Sequence, residues 1–297
     1  MTWNTGYCAL GDNPDFFMDH GTQVITASRD RVQTNLESIA REIATVSPDI
    51  LFLQEVDRNS DRSYKIDTLE RFYEVLPAHD QTFAANYRVF FVPFPIPPIG
   101  KVDSGIATLS RFPLTSSARV SLPCPFSWPV RLANLKRCLL VSRIPISDSD
   151  HELILINLHL EAYDNGTGKA AQTAALRRIM DMELDKGNYL IVGGDFNQVF
   201  SNVDTSSYPV YENMWQPGLI DIADFSDHYS FLMDNAVPTC RSLDRPYAGA
   251  DPASFQFYMI DGFILSSNIR VTSLKTLDLD FVASDHNPVL LQVTLLP

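Results

Sequence analysis

Polar side chains that can bind metals or transfer protons recur along this chain beside apolar, strand-like runs. The groups are Trp3-Asn4, Gln54-Glu55, Asn157-Leu158-His159, Gly193-Gly194-Asp195-Phe196-Asn197 and Ser284-Asp285-His286. The last group precedes an apolar run, and each of the others follows one. A β-scaffold would present such side chains to a single cleft, where histidines, carboxylates and asparagines together would form a hydrolytic metal site.

Each of these residues also has an ordinary structural explanation when it is taken alone. Glu55 comes just after the apolar run 50–53, where an unpaired carboxylate is costly to bury, so it either lies at a solvated strand end or binds a cation. Asn4 could hydrogen-bond the backbone of a turn, and His159 could be a core histidine. Core packing does not readily explain all of these groups at strand ends.

The remaining groups narrow the chemistry. Asp195 and Asn197 occupy alternate positions after two glycines, so both should point to one face. His286 needs a partner that fixes its tautomer, and Asp261, after the apolar run 257–260, is available. Oxygen donors and amides favour Mg²⁺, with Mn²⁺ as the alternative, over zinc. The reaction that needs this set is hydrolysis at phosphorus.

Apolar spacing predicts the elements that must position these groups. Helices are predicted over residues 29–46, 69–76 and 169–185, and the last should turn Ala174, Ile179 and Met182 inward. Strands are predicted over residues 2–4, 50–53, 87–92, 105–109, 138–145, 152–159, 189–192, 257–265 and 289–295. Helices among many short strands, without a linker or repeat, predict an α/β sandwich in a single domain over residues 1–297.

Composition limits the partners. The net charge is -13 and the pI is near 4.8, and the densest basic stretch is only Arg131–Arg143. Nucleic-acid binding is therefore disfavoured, because proteins that grip long duplexes usually carry a basic stripe. No run approaches the roughly 18 apolar residues of a membrane span.

The compartment is poorly determined by the sequence. The four cysteines lack CxxC spacing, so neither a zinc site nor a disulfide framework is indicated. A reduced, cytoplasmic setting is favoured, with secretion as the alternative if a leader was removed. The sequon Asn165-Gly166-Thr167 is interpreted as a chance match.

The ordered motifs resemble those of a known superfamily. With Ser104-Gly105, Ser110-Arg111-Phe112-Pro113-Leu114 and Ile260-Asp261, the groups above resemble the signature of the endonuclease/exonuclease/phosphatase superfamily. Deoxyribonuclease I, apurinic endonucleases, neutral sphingomyelinases and inositol polyphosphate 5-phosphatases belong to it. The resemblance spans residues 2–290 and implies a DNase I-like, four-layer α/β sandwich: two packed, mostly antiparallel sheets flanked by helices, with the site at one rim.

The resemblance also implies a set of metal ligands. Glu55 would be the main Mg²⁺ ligand with Asn4 beside it, and Asp285 would bind through water or at a second metal. The position two residues after Asn4 is Gly6, where some family nucleases carry an acidic residue. A second direct carboxylate ligand from the first strand is therefore not expected.

The catalytic roles that the resemblance implies fall on five residues. Asp195 would orient or deprotonate the attacking water, and Asn197 would contact the phosphate. His159 and His286 would stabilise the pentavalent transition state, and Asp261 would hold His286.

Substrate binding is expected from residues near these motifs. Tyr163 and Asp164 follow His159 where the family shapes its substrate pocket, and Asp164 would bind a sugar or polyol hydroxyl. The candidate phosphate-binding cations are Lys101, Arg131, Lys136 and Arg137.

The favoured interpretation is a phosphatase or phosphodiesterase acting on a small-molecule, sugar or lipid-headgroup phosphate, as a monomer. The acidic charge and the apolar loop 93–100 support it, the loop being a lid, a membrane contact or plain packing. The alternative is an endo- or exonuclease on DNA or RNA. A non-catalytic binding protein is the third possibility, and the complete set of polar groups argues against it.

Overall fold

The computed structural model describes residues 1–164, 166–208 and 210–297, so Asn165 of the sequon lies outside the described residues. In this part of the chain the helices are α1 (Arg29–Val46), α2 (Thr68–Val75) and α3 (Thr167–Leu184). The strands are β1 (Thr2–Asn4), β2 (Ile50–Asp57), β3 (Asp80–Val92), β4 (Gly100–Ser110), β5 (Ser116–Ser121), β6 (Cys138–Pro145), β7 (Glu152–His159), β8 (Tyr189–Asp195), β9 (Gln198–Phe200), β10 (Gly218–Ile220), β11 (Tyr229–Leu232), β12 (Cys240–Arg241), β13 (Phe257–Tyr258), β14 (Asp261–Ser266), β15 (Ile269–Thr276) and β16 (Val289–Leu295).

Two six-stranded sheets hold the site strands near their centres. The first has the order β15-β16-β1-β2-β4-β3 and the second β11-β14-β8-β7-β6-β5. Each sheet contains one parallel pair, β1 with β2 and β7 with β8, among antiparallel neighbours. Because parallel strands end at the same edge, Asn4 pairs with Gln54 and His159 pairs with Asp195 at the rim.

Alternating side chains build the layers. In β2, Leu51 and Leu53 pack with α1 and α2, whereas Phe52 points between the sheets. In β7, Ile154 packs towards α3, and Leu155 meets Phe52 in the core between the sheets. The result is helices, sheet, sheet and helix, which confirms the predicted four-layer sandwich.

A buried polar contact joins the two sheets beneath the site. Gln54 Nε2 donates to Asn157 Oδ1 at 2.8 Å, and Asn157 Nδ2 donates to the carbonyl of Ala107 at 2.7 Å. Both side chains are fully buried. These two residues of the sequence motifs therefore hold the sheets in register instead of facing the cleft.

Helix α1 matches its prediction, and α3 differs in the face it buries. Ser28 caps α1 by accepting from the Arg31 backbone N–H. In α3 the buried apolar residues are Leu176 and Met180. Of the residues predicted to point inward, Met182 is 61% exposed, Ala174 is also exposed and Ile179 is only partly buried. The prediction was wrong because alanines on several faces of α3 leave its apolar stripe weakly defined.

Several strands were missed or shortened by the sequence reading. Both β3 and β4 begin earlier than predicted, and β5, β11 and β15 were not predicted. Strand β5 lies at a sheet edge and is almost entirely exposed, so it lacks the apolar alternation that marks a strand. No helix in the described ranges combines the length and apolar character needed to cross a bilayer.

Candidate active site

The ends of the central strands bring Asn4, His159 and Asp195 together at one rim. Asn4 Nδ2 donates to Asp195 Oδ2 at 2.9 Å, and His159 Nε2 lies 3.3 Å from the same oxygen. All three residues are buried. Strands from both sheets therefore meet at one carboxylate.

A second carboxylate and an imidazole extend this contact. Asp261 lies opposite Asp195 in the β8–β14 pairing, and its Oδ2 is 2.8 Å from His286 Nδ1. His286 Nε2 lies 3.4 Å from Asn4 Nδ2 and 3.9 Å from Asp195 Oδ2. We call Asp261, His286 and Asp195 the acid–imidazole relay. From the sequence, Asp261 was expected at the end of the apolar run 257–260. In the structure it is the first residue of β14.

The two histidines have opposite protonation tendencies. Burial disfavours the charged form of His286, yet the adjacent Asp261 carboxylate outweighs it and raises the pKa of His286 well above its usual value. Burial, with the nearby Arg137 guanidinium, lowers the pKa of His159 well below its usual value. His286 is therefore an imidazolium near neutral pH and His159 is neutral.

Glu55 reaches the site from a distorted strand. It has a positive φ of 53°, at an irregularity in the β2–β4 pairing between Leu53 and Val56. Its Oε1 lies 3.9 Å from His159 Nε2, and 25% of its side chain is exposed. Glu55 was expected at a strand end, but β2 continues to Asp57, and a bulge re-aims the carboxylate instead.

Asp285 fills the space that a side chain at position 6 would occupy. A Cβ built on Gly6, where φ is +49°, would lie 2.6 Å from Asp285 Oδ1. Ser284 fixes the neighbouring loop by donating to the Asn4 carbonyl at 2.8 Å. A carboxylate from the loop before β16 therefore lies against the turn that follows β1.

The buried carboxylates fit a divalent cation. Burial, reinforced by Asp261, raises the pKa of Asp195 to about 7, and burial, reinforced by Glu55, raises that of Asp285 to about 7. Ligand atoms of Asp195, Asp261 and His286 lie within 4.8 Å of one another, which is close enough for a metal ion. An imidazolium has no lone pair free for a metal, so the carboxylates are the better donors to a hard cation.

The amide side chains of Asn4 and Asn197 already form hydrogen bonds within the protein. Asn4 Oδ1 accepts from the Gly6 backbone N–H at 3.1 Å, while its nitrogen holds Asp195. Asn197 has a φ of 50° and donates through Nδ2 to the Leu160 carbonyl at 3.0 Å. Its backbone N–H donates to Asp195 Oδ1 at 2.9 Å. In this arrangement both asparagines orient Asp195.

A cavity of about 280 Å³ opens beside these residues. Its catalytic wall consists of Asn4, Glu55, His159, Asp195, Asn197, Asp285 and His286. Aromatic residues, basic residues and further acids complete it, among them Phe16, Phe17, Asp19, Arg62, Tyr87, Phe126, Arg137, Glu161, Tyr163, Trp215, Arg241 and Tyr258. The cavity suits one phosphoryl group with a compact attached group.

Only one of the three predicted substrate-binding residues lines this cavity. Tyr163 lines it, and its hydroxyl donates to Asp19 Oδ1 at 2.9 Å. The Asp164 carboxylate lies at the start of α3, where it accepts from the backbone of Lys169 at 3.1 Å and also of Gly168. Lys101 is partly exposed and lies outside the cavity lining. Helix capping therefore accounts for Asp164.

Arg62 also lines the cavity, and it was not predicted from the sequence. Its guanidinium forms two hydrogen bonds to the fully buried Asp57, at 2.9 and 3.1 Å, and lies 3.8 Å from the centre of the Tyr7 ring. Asp57 lies two residues after Glu55, and this spacing was the available signal. Because Asp57 compensates its charge, Arg62 adds little free positive potential.

Exposed apolar side chains occur in two segments whose neighbours Ile99, Phe126 and Leu135 line the cavity. The exposed side chains, which we call the apolar lip, are Phe90, Phe91, Phe94, Ile96, Trp128, Val130 and Leu132. Phe90 is 96% exposed and Trp128 76% exposed, so plain packing on the core does not explain these loops. The two loops adjoin, since Tyr87 Oη donates to the Ala133 carbonyl at 3.1 Å. Large exposed apolar patches mark sites of interaction.

The arrangement can perform proton transfer beside a cation site. A carboxylate with a pKa near neutrality, an imidazolium held by a second carboxylate and a neutral imidazole lie around one point at the cavity wall. Groups with separated pKa values of this kind supply the base and the charge stabiliser of a hydrolysis reaction.

A family model and several solved structures are similar to this chain. The family model described as "Endonuclease/Exonuclease/phosphatase family" matches residues 1–286. The chain is similar to the endonuclease/exonuclease/phosphatase of Beutenbergia cavernae DSM 12333, with 20% identity, a TM-score of 0.62 and coverage of 99% of this chain and 70% of that chain. The corresponding Bacteroides vulgatus protein gives 17% identity, a TM-score of 0.59 and coverage of 99% and 97%.

Similar structures also include a D. rerio TDP2 in complex with a single-strand DNA product. It shows 12% identity, a TM-score of 0.57 and coverage of 88% of this chain and 92% of that chain. The search of curated proteins finds no match. These structural similarities show the shared DNase I-like fold, and the family model spans almost the whole sequence. Because that model matches residues 1–286, the chain belongs to the endonuclease/exonuclease/phosphatase family.

Proposed function

We propose that this protein is a Mg²⁺-dependent phosphoester hydrolase, a phosphatase or phosphodiesterase, with Mn²⁺ as the alternative cation. Its substrate would be a small-molecule, sugar or lipid-headgroup phosphate. The observation that carries the proposal is the acid–imidazole relay, of which Asp195 and His286 line a cavity of about 280 Å³, next to buried carboxylates that a cation would neutralise. Family membership supports the same reaction class.

The residues of the chain divide the work as follows. Glu55 and Asp285 would hold the cation, which when bound polarises a phosphoryl oxygen and offsets its charge. Asp195, oriented by Asn4, would accept a proton from the attacking water, and a pKa near neutrality suits that role. His286 would donate a charged hydrogen bond to the phosphoryl group.

The charges of the cavity favour a substrate with a single phosphoryl group. Arg62 is paired with Asp57, and Arg241 donates to the backbone carbonyls of Ser242 and Gly11. Few cationic groups are therefore free to neutralise several phosphates. The net charge of -13 points the same way.

The apolar lip favours a lipid within this substrate class. Its residues belong to the same two chain segments as Ile99, Phe126 and Leu135, which line the cavity. Arg131 lies in the same loop as Trp128, so a cation accompanies the aromatic ring. A lip of this composition suits the boundary between headgroups and acyl chains.

A nuclease is the second candidate. Its support is the fold shared with a TDP2 solved with a single-strand DNA product, together with Tyr163 and Trp215 in the cavity wall, which could stack on bases. A steep fall of affinity with salt would accompany such an activity.

A panel of phosphate esters tests these alternatives. It would contain glycerol phosphate, sugar phosphates, vesicles of phosphodiester lipids and single-stranded DNA, each with Mg²⁺ or with EDTA. The proposal expects Mg²⁺-dependent turnover of a small-molecule or lipid ester with weak salt dependence. Turnover confined to DNA would establish the nuclease. Folded protein that hydrolyses nothing and binds no Mg²⁺ would leave only a binding role.

A further inference from the structure

Arg137 and Glu161 form a buried ion pair that the relay does not use. Arg137 immediately precedes β6 and Glu161 follows β7, so the pairing of these antiparallel strands places both next to His159. Both side chains line the cavity. The exposed fraction is 4% for the Arg137 side chain and 3% for the Glu161 side chain. Arg137 Nε lies 3.9 Å from Glu161 Oε2, which is too long for a hydrogen bond.

The pair leaves buried polar atoms without partners. Among the residues that the structure describes, Arg137 Nε and Nη1 and Glu161 Oε2 have no hydrogen-bond partner and are shielded from water. The rest of Glu161 is held firmly: Oε1 accepts from the Tyr163 backbone at 3.2 Å, and its backbone N–H donates to Gln172 Oε1 at 3.0 Å. Buried donors and acceptors that lack partners are costly, so a ligand that pairs with them gains affinity.

We propose that Arg137 and Glu161 are a subsite for a hydroxyl group on the alcohol part of the substrate. A hydroxyl accepts from the guanidinium and donates to the carboxylate, and an oxygen about 2.8 Å from each atom fits across the gap. A second phosphate would meet the negative charge of Glu161, and an apolar group would leave the three atoms unpaired. Because these atoms are shielded from water, the Arg137 side chain must rotate towards the cavity for the hydroxyl to enter.

The subsite narrows the substrate class to phosphate esters of polyols, sugars or other hydroxylated alcohols. This step rests on the proposed phosphoester hydrolysis. It also moves the hydroxyl contact predicted for Asp164 to Glu161, because Asp164 caps α3. A site built to hydrogen-bond a hydroxyl rejects the analogue that lacks it more strongly than an apolar pocket rejects an extra methylene.

Matched esters with and without hydroxyl groups test the subsite. The pairs are glycerol 3-phosphate with propyl phosphate, and inositol 1-phosphate with cyclohexyl phosphate. Wild-type protein should prefer the hydroxylated member of at least one pair by about 10-fold or more in kcat/KM. Arg137→Met and Glu161→Gln should lose this preference, measured as the ratio of the two kcat/KM values within each pair, so that an effect of Arg137 on His159 common to both esters cancels. Lys136→Met, an exposed neighbour of Arg137, is the matched control and should keep the preference.

Dissociation constants separate failure of the subsite from failure of the proposed function. Calorimetry with Mg²⁺ in an Asp195→Asn background measures the same preference without turnover. A binding preference that Arg137→Met abolishes, with no turnover by wild type, would support the subsite and contradict the hydrolase. Equal binding of both members of each pair, or an equal loss for both in Arg137→Met, would overturn the subsite. Arg137→Lys, which retains the charge, guards against a loss that reflects unfolding.

Discussion

At the scale of single residues, the separation of the two histidine pKa values is the main chemical property of the site. Asp261 keeps His286 charged, whereas burial keeps His159 neutral. An asparagine at position 261 would still accept a hydrogen bond but would remove the charge that holds the imidazolium. The protonation and the orientation of the His286 ring therefore both depend on the 2.8 Å contact between its Nδ1 and Asp261 Oδ2.

Asp261→Asn should lower kcat by about 10²- to 10³-fold, because His286 loses its charge near neutral pH. His286→Ala should cause a similar or larger loss. The double variant should be no slower than His286→Ala alone, since the two residues act as one unit. Steady-state kinetics on one ester measures kcat for the two single variants and the double variant. A loss in the double variant equal to the product of the two single losses would contradict the relay.

The buried Asp285 carboxylate should make stability depend on pH when no cation is present. Its folded pKa of about 7 lies above the unfolded value of about 3.9, so the folded protein binds more protons between these limits. Its contribution to stability is full below about pH 4 and is lost as pH rises through about 7, an effect on the order of 1–4 kcal/mol.

Thermal unfolding in EDTA measures this effect. The Tm of wild-type protein should fall from pH 5 to pH 8. Asp285→Asn should reduce this fall and leave the part that comes from Asp195, whose pKa is also about 7. Mg²⁺ at pH 8 should raise the wild-type Tm, as a ligand of the folded state does, and raise that of Asp285→Asn much less. Asp280→Asn, at an exposed position, is the control. A wild-type Tm that rises steadily with pH in EDTA would contradict the burial of ionised Asp285.

Residue identities could be predicted from the sequence more readily than their orientations. Asn4, His159, Asp195, Asp261 and His286 lie together because apolar runs place them at strand ends or beside them. The sequence could not show that Asn4 turns its nitrogen towards Asp195, because that choice depends on a backbone N–H two residues away.

At the scale of elements, the turn after β1 and the loop before β16 are shaped to each other at Gly6. Gly6→Ala adds a Cβ that would lie 2.6 Å from Asp285 Oδ1 at a positive φ of 49°. We expect a loss of about 1–3 kcal/mol in the free energy of unfolding, together with weaker Mg²⁺ binding.

Gly249→Ala is the matched control for that substitution. Gly249 has a φ of +76°, and a Cβ there would meet nothing within 4 Å. It carries the conformational cost without the collision, so it should lose only about 1 kcal/mol and keep Mg²⁺ affinity. Denaturant unfolding and calorimetry compare the two. Equal effects on Mg²⁺ binding would show that the collision with Asp285 is unimportant.

The start of α3 depends on Asp164. Asp164→Ala should lower the free energy of unfolding by about 0.5–2 kcal/mol, because backbone N–H groups of the first turn lose their acceptor. The kcat/KM for sugar phosphates should remain within about twofold. Asp164→Ser retains an acceptor and should recover much of the stability. A large loss of activity in Asp164→Ser at normal stability would restore the substrate role predicted from the sequence.

The reliability of element predictions followed the burial of each element. Helix α1 was predicted accurately because one apolar stripe packs on the first sheet. Strand β5 was not predicted because its conformation comes from pairing with β6. Its side chains show no alternation of buried and exposed positions that the sequence could reveal. The bulge at Glu55 was also missed, since it arises from pairing with a strand about fifty residues away.

At the scale of the whole molecule, the four-layer sandwich and the family were predictable because the ordered motifs of the sequence resemble those of the endonuclease/exonuclease/phosphatase superfamily. The cavity was not predictable in detail: residues from well-separated segments, such as Asp19, Arg62 and Trp215, line it only after the sheets pack. The apolar lip likewise needed the structure, because exposure of an aromatic residue is a tertiary property.

The central claim is that the Glu55 and Asp285 carboxylates hold a cation for phosphoester hydrolysis. Hydrolysis of bis-p-nitrophenyl phosphate and of p-nitrophenyl phosphate, with Mg²⁺ or EDTA, tests it most directly when wild type is compared with Glu55→Gln. Glu70→Gln, an exposed carboxylate on α2, is the control. We expect Mg²⁺-dependent turnover that Glu55→Gln reduces by at least about 10²-fold and Glu70→Gln leaves unchanged. Turnover that persists in EDTA, or that survives in Glu55→Gln, would contradict the account.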